Sequence, residues 1–140
     1  MKNTIEILIK DFVVNYEQKE NVTTRWKEPL ISYASTHDPL FRELKTLVSS
    51  THLMPKDLLP SCKTAIAYFL PFEESIVKSN IKGKYASKEW ALSYVETNNL
   101  IGEINKYLEN KMEELGFQLA TVPATHNFDT EKLMSDWSHR

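Results

Sequence analysis

A single cysteine, Cys62, stands in 140 residues, so the chain has no internal disulfide and no Cys-x-x-Cys pair. With only four histidines beside it, a structural zinc site or a thiolate-held iron–sulfur cluster built by this chain alone is excluded. Glycine is scarce at three residues and proline numbers six, which excludes collagenous and low-complexity chains. No window approaches the ~18–20 continuous apolar residues of a membrane-spanning helix. The N-terminus alternates polar and apolar residues instead of forming the apolar block of a secretory leader. Neither sign of charge dominates: 17 basic and 19 acidic residues give a formal charge of −2, so no general basic footprint for nucleic acid exists. The expectation is a cytoplasmic protein with no membrane association.

What is present is enough for one core. Hydrophobic residues make up 41% and aromatics 11%, and a chain of this length is expected to form a single domain over 1–140. Ile5, Leu8, Phe12 and Tyr16 recur at helical spacing, and Asn3 with Glu6 has the offset of a helix start, so the spacing predicts a helix over 4–19 within an N-terminal segment 1–24. Residues 26–34 read as a loop with a short strand. Asp38-Pro39 opens a helix whose apolar face is Phe41, Leu44, Leu47 and Val48. Residues 52–60 read as an ordered loop or one turn.

Thr64-Ala65-Ile66-Ala67-Tyr68-Phe69-Leu70, lying between Pro60 and Pro71, has the length and flanks of a buried strand. Residues 73–87 read as a loop with a helical turn. A long helix follows, with Trp90, Tyr94, Ile101, Ile104, Leu108, Met112 and Leu115 near one stripe and Gly116 at the position of a left-handed cap. Residues 117–122 are expected to form a second strand closed by Pro123. Asp129 is expected to cap a helix carrying Leu133 and Trp137, still running at Arg140, which suggests a chain that continues. The fold class expected is α/β (α+β), a short central sheet of few strands packed by helices.

Three places concentrate polar chemistry. Ser79-Asn80-Ile81-Lys82-Gly83-Lys84-Tyr85-Ala86-Ser87-Lys88 is rich in donors just before the long helix. Such a loop can hold an anion, or Ser87 can simply cap the helix. Glu96-Thr97-Asn98-Asn99 interrupts the helix with poor formers, which points either to a buried polar network or pocket wall at Asn98 or to an exposed turn. Thr125-His126-Asn127-Phe128-Asp129 lies between a strand and a helix start. There His126 is able to shuttle protons and Asp129 to act as an acid, unless they are a loop residue and an N-cap. Arg140 is able to pair with phosphate or carboxylate. Cys62 reads as a small buried hydrophobe, His37 and His52 as turn and loop residues, and Glu73-Glu74 as surface charge.

Several of these stretches, in order, resemble one family. Leu58-Leu59-Pro60-Ser61-Cys62-Lys63-Thr64-Ala65-Ile66-Ala67-Tyr68 is similar to its strand entry. More specific are Ser79-Asn80 with Gly83-x-Tyr85-Ala86-Ser87-x-Glu89-Trp90-Ala91, then Tyr94-x-Glu96-Thr97-Asn98-x-Leu100-Ile101. Most specific is Pro123-Ala124-Thr125-His126-Asn127-Phe128-Asp129 running into Trp137-Ser138-His139-Arg140. Over residues 26–140 the chain resembles the N-terminal domain of the iron–sulfur proteins grouped with epoxyqueuosine reductase, in a less-characterised branch.

The resemblance implies a continuation into a segment whose cysteines hold two [4Fe–4S] clusters, and an N-terminal domain that helps to cradle cobalamin and a tRNA base. It implies a proton-donating acid, for which Asp129 is the nearest match, beside His126. Asn80, Tyr85, Asn98 and Arg140 match positions expected to face the cofactor. This chain holds none of the cluster ligands, so the partner expected is the C-terminal iron–sulfur domain, a separate cluster-carrying protein or a second copy of the chain. The alternative is a stand-alone, non-catalytic ligand-binding or protein-interaction module.

Overall fold

The computed structural model describes residues 2–122, 128–131 and 134–135. Helix α1 (Lys2–Tyr16) buries Ile5, Ile9, Val13 and Tyr16, a stripe that recurs every third or fourth residue along one face. Leu8 and Phe12, expected at the centre of that face, lie half-buried at its edge. The helix ends at Tyr16, three residues before the expected boundary, and Glu17, Gln18 and Lys19 turn back with amide bonds to Val13, Asn15 and Tyr16. Strand β1 (Leu30–Ser35), helix α2 (Leu40–Leu47), the single turn α3 (Pro55–Leu58), strand β2 (Thr64–Phe69) and helix α4 (Glu74–Ser79) follow. Helix α5 (Lys88–Glu114) is the longest element, and short strands β3 (Phe128–Asp129) and β4 (Met134–Ser135) come last. No helix among the described residues is long and apolar enough to cross a membrane.

The fold is mixed α/β, as the sequence predicts, but the sheet is assembled differently. β2 forms where expected and pairs with β1 in a two-stranded antiparallel sheet, but it is not the buried strand expected: none of its residues is buried and Phe69 is 62% exposed. The ladder is extended by a Trp26–Phe72 bridge, with Lys27 N–H donating to the Pro71 carbonyl at 2.8 Å. Residues 117–122, expected to be the second strand, form none. Side chains hold them instead: Thr121 Oγ1 donates to Glu109 Oε1 at 2.7 Å, and Gln118 Oε1 accepts from Ser61 Oγ at 2.9 Å. Among the described residues the expected helix from Asp129 does not form. Phe128 and Asp129 pair antiparallel with Ser135 and Met134, which puts Asp129 in a strand instead of at a cap. Leu133 and Trp137, the apolar positions of that expected helix, lie outside the described residues.

By compactness the chain divides into two units, residues 1–32 with 67–108, and residues 33–66 with 109–140. In the first, Ile5, Ile9, Val13, Tyr16, Val22, Trp26, Leu70, Ile76, Leu100, Ile104 and Leu108 are buried, with Ile9, Leu100 and Ile104 sealed from solvent. Rings reinforce this core: Phe12 lies 4.9 Å from Tyr107, and Trp26 meets Tyr16 edge-on at 6.1 Å. In the second unit α2 buries no residue. Asp38 Oδ1 accepts the Leu40 amide at 3.0 Å, as its expected capping role requires. α5 closes within that unit on Gly116, whose φ of 77° only glycine adopts freely. The Gly116 amide donates to Glu113 O at 2.9 Å and the Phe117 amide to Met112 O at 2.8 Å, the paired bonds of a left-handed C-terminal cap.

Ile104→Ala is expected to lower stability by about 2–5 kcal/mol through lost burial and a residual cavity. Leu47→Ala, at a site 75% exposed, should shift it by less than about 0.5 kcal/mol. Urea unfolding of the two variants beside the parent chain measures both.

Candidate functional site

The loop between α4 and α5 is wired by its own side chains. Ser79 Oγ has one proton, which goes to the Ile76 carbonyl at 2.7 Å. Ser87 Oγ therefore donates in the 2.7 Å contact between the two hydroxyls, while it accepts the Trp90 amide at 3.1 Å. That last bond makes Ser87 the N-cap of α5, the simpler of its two sequence readings. Asn80 Oδ1 accepts the Ser87 amide at 3.0 Å. Gly83 turns the loop with φ of 131°, a conformation strained for any residue bearing a Cβ. Tyr85 stands 89% exposed at its tip, flanked by the exposed Lys82 and Lys84.

Further along α5 the buried stripe passes through polar residues. Ser93 and Glu96 are buried, then Leu100, Ile104, Leu108 and Met112 continue at spacings of four. Tyr94 and Leu115, expected on this face, are about half-exposed. Glu96 accepts the Thr24 amide at 2.7 Å, the Thr23 amide at 3.2 Å on both oxygens, and Thr23 Oγ1 at 3.2 Å. Thr24 Oγ1 in turn donates to Ser93 Oγ at 3.2 Å. Next to it Trp26 Nε1 donates to Thr97 Oγ1 at 2.9 Å, and the Trp26 amide donates to Glu17 Oε1 at 2.8 Å. Burial pushes the Glu96 carboxyl up, but the bonds from Thr24 and Thr23 outweigh it and hold the group below its usual 4.5. Among the described residues no cation pairs with Glu96; backbone amides and a hydroxyl carry its charge.

This network is the part of the site that the polar interruption of α5 foretold, displaced from Asn98 to Glu96 and Thr97. Asn98 is half-buried and its Nδ2 donates back to the Tyr94 carbonyl at 2.8 Å, one turn earlier. Two turns on, Tyr68 Oη donates to Asn105 Oδ1 at 2.8 Å, and burial pushes that phenol up to about 12. Thr23, Thr24, Trp26 and Glu17 were not singled out as site residues. The signal available for them was the 93-96-100-104 period on α5, which places a carboxylate on the buried face and so demands donors from elsewhere.

Of the sequence candidates, Asn80 and Tyr85 share one loop and Asn98 lies on α5. Asp129 is described only as a strand residue, and His126 and Arg140 lie outside the described residues. His52 is buried and His37 exposed, while Cys62 is half-buried with its carbonyl accepting Thr36 Oγ1 at 3.0 Å. Glu74 pairs with Lys78 at 2.8 Å on the surface, as its reading required. Among the described residues no group of three His, Cys, Asp or Glu side chains gathers to hold a metal ion.

The acid response follows from the sign of the Glu96 shift. A carboxyl held below its unfolded value binds its proton more weakly in the folded chain, so its contribution is complete above pH 4.5 and disappears as pH falls through the folded value. Glu96→Gln should lower stability at neutral pH by about 1–3 kcal/mol, because an amide N–H₂ then faces backbone donors. It should also flatten the acid limb of a plot of urea midpoint against pH. No protein-family model matches the chain, and comparison with curated proteins and with solved structures finds no match.

Proposed function

We propose that the chain is a substrate- and cofactor-cradling domain of an iron–sulfur oxidoreductase similar to epoxyqueuosine reductase, working with clusters carried on other polypeptide. The observation that supports this reading is local. The stretches bearing the resemblance, 79–91 and 94–101, coincide with two of the places where side chains are fixed by dedicated hydrogen bonds, Ser79–Asn80–Ser87 and Glu96–Thr97. A rigid polar scaffold on the N-terminal half of α5 is what a pocket wall requires.

The donor sets limit what this chain holds. One cysteine cannot supply the four thiolates of a [4Fe–4S] cluster, so the clusters belong to a C-terminal domain or a separate carrier. Asn80 and Asn98 each make a bond within their own segment, and Tyr85 alone of the three presents an exposed ring and hydroxyl. These residues supply at most part of a cobalamin site, with Tyr85 the one open to contact, and the rest of the enclosure would come from other polypeptide. In this proposal Tyr85 and Asn98 border the substrate, a tRNA-borne base; Asp129 or His126 is the proton donor that the family resemblance alone implies.

A second reading, an interaction module, is favoured by a different observation. Ile81, Tyr85 and Phe69 are 70%, 89% and 62% exposed within one compact unit, apolar surface available to a partner. Titrating the purified chain with hydroxocobalamin, followed by absorbance and calorimetry, separates the two. The first reading predicts saturable binding weakened about tenfold, or about 1.4 kcal/mol, by Tyr85→Ala with Asn98→Ala. It also predicts that Asp129→Asn and His126→Ala leave that affinity unchanged. Absence of saturable binding, with concentration-dependent self-association in sedimentation, would replace it by the second.

A further inference from the structure

Within the second compact unit, the turn after β1, the first turn of α2 and the start of α3 border a surface cleft of about 160 Å³. Arg42 from α2 and Lys56 from α3 line it, together with His37 and Thr36. Phe41 and Met54 add apolar surface. The acids nearby are already engaged. Asp38, which also lines the cleft, accepts the Leu40 amide on Oδ1 at 3.0 Å, and Asp57, next to Lys56, accepts the Met54 amide on Oδ2 at 2.8 Å. Among the described residues neither Arg42 nor Lys56 is part of an ion pair. Two cations from separate elements therefore border one concavity, and the Asp38 and Asp57 carboxylates, which keep their charge, are each held by a backbone amide.

We propose that this cleft binds the phosphoryl group of a small phosphorylated metabolite. A guanidinium offers a planar fork to two oxygens and an ammonium a point charge to a third, with the His37 imidazole beside them; the Thr36 hydroxyl proton is already given to the Cys62 carbonyl. That set suits a group with three peripheral oxygens better than the two of a carboxylate. The volume lies below the ~300–1,000 Å³ of sites that enclose a drug-sized ligand, so the phosphoryl group enters and the carbon portion lies against Phe41 and Met54, a contact that free phosphate lacks. Nothing in this assignment depends on the proposed redox role, whose candidate residues are different side chains.

The test is an amide NMR titration of the full chain with inorganic phosphate and, separately, glycerol 3-phosphate, against sodium chloride at matched ionic strength. The expected result is saturable shifts confined to residues 36–42 and 54–56, with the monoester binding more tightly than the free ion. Arg42→Gln with Lys56→Gln, both exposed positions, should raise the dissociation constant at least about tenfold while leaving the other resonances in place. Shifts reproduced by chloride, a double variant that titrates like the parent, or free phosphate binding more tightly than the monoester would each overturn the assignment.

Discussion

A carboxylate taken out of water must be repaid in hydrogen bonds, and Glu96 is where this chain meets that constraint. Removing an ion of this size from solvent costs several kcal/mol unless donors replace the lost water. Here the donors are the consecutive amides of Thr23 and Thr24 and the Thr23 hydroxyl. The amides belong to the connection after α1, which has no helix or strand partner of its own for them. One side chain thus satisfies a helix-to-strand connection whose N–H groups would otherwise lie buried and unmet. Trp26 completes the join, its indole N–H on Thr97 and its amide on Glu17.

That join accounts for the position of much else in the first compact unit. With residues 23–26 fixed against α5, Trp26 reaches its bridge to Phe72, and Phe72 in turn meets Trp90 edge-on at 5.3 Å. α1 meets α5 through Phe12 against Tyr107, and Lys19, just after α1, pairs with Glu103 at 2.6 Å. Lys19 also lies 4.2 Å above the Tyr16 ring, so one ammonium serves an ion pair and a ring face together. The exposed pair Lys19–Glu103 adds little stability by itself; the apolar stripe beneath it is the larger contribution.

The elements legible in the sequence are those whose signal was strong and local. α5 ends on Gly116 because only glycine takes that φ freely, and β2 stops short of Pro71, which has no N–H to donate although its carbonyl still accepts from Lys27. What was not legible depended on distant partners. The strand that pairs with β2 is β1 and not residues 117–122, a choice made by pairing across the chain and not by β propensity. The buried face of α5 was read through its large apolar residues, which missed that Ser93 and Glu96 occupy the same stripe. Asn98, the conspicuous helix breaker, bonds back to its own turn, whereas the less conspicuous Glu96 organises the neighbourhood. At 79–87 the residue types were legible, but hydroxyl-to-hydroxyl wiring between Ser79 and Ser87 cannot be read from spacing.

The central claim is that Glu96 is an ionised, amide-bonded carboxylate at the heart of the first unit. A carbon-detected NMR titration of its side-chain carboxyl resonance tests this most directly. The account predicts a midpoint below 4.5, with the Thr23 and Thr24 amide resonances moving at the same pH. A midpoint above 4.5, or threonine amides indifferent to it, would contradict the account.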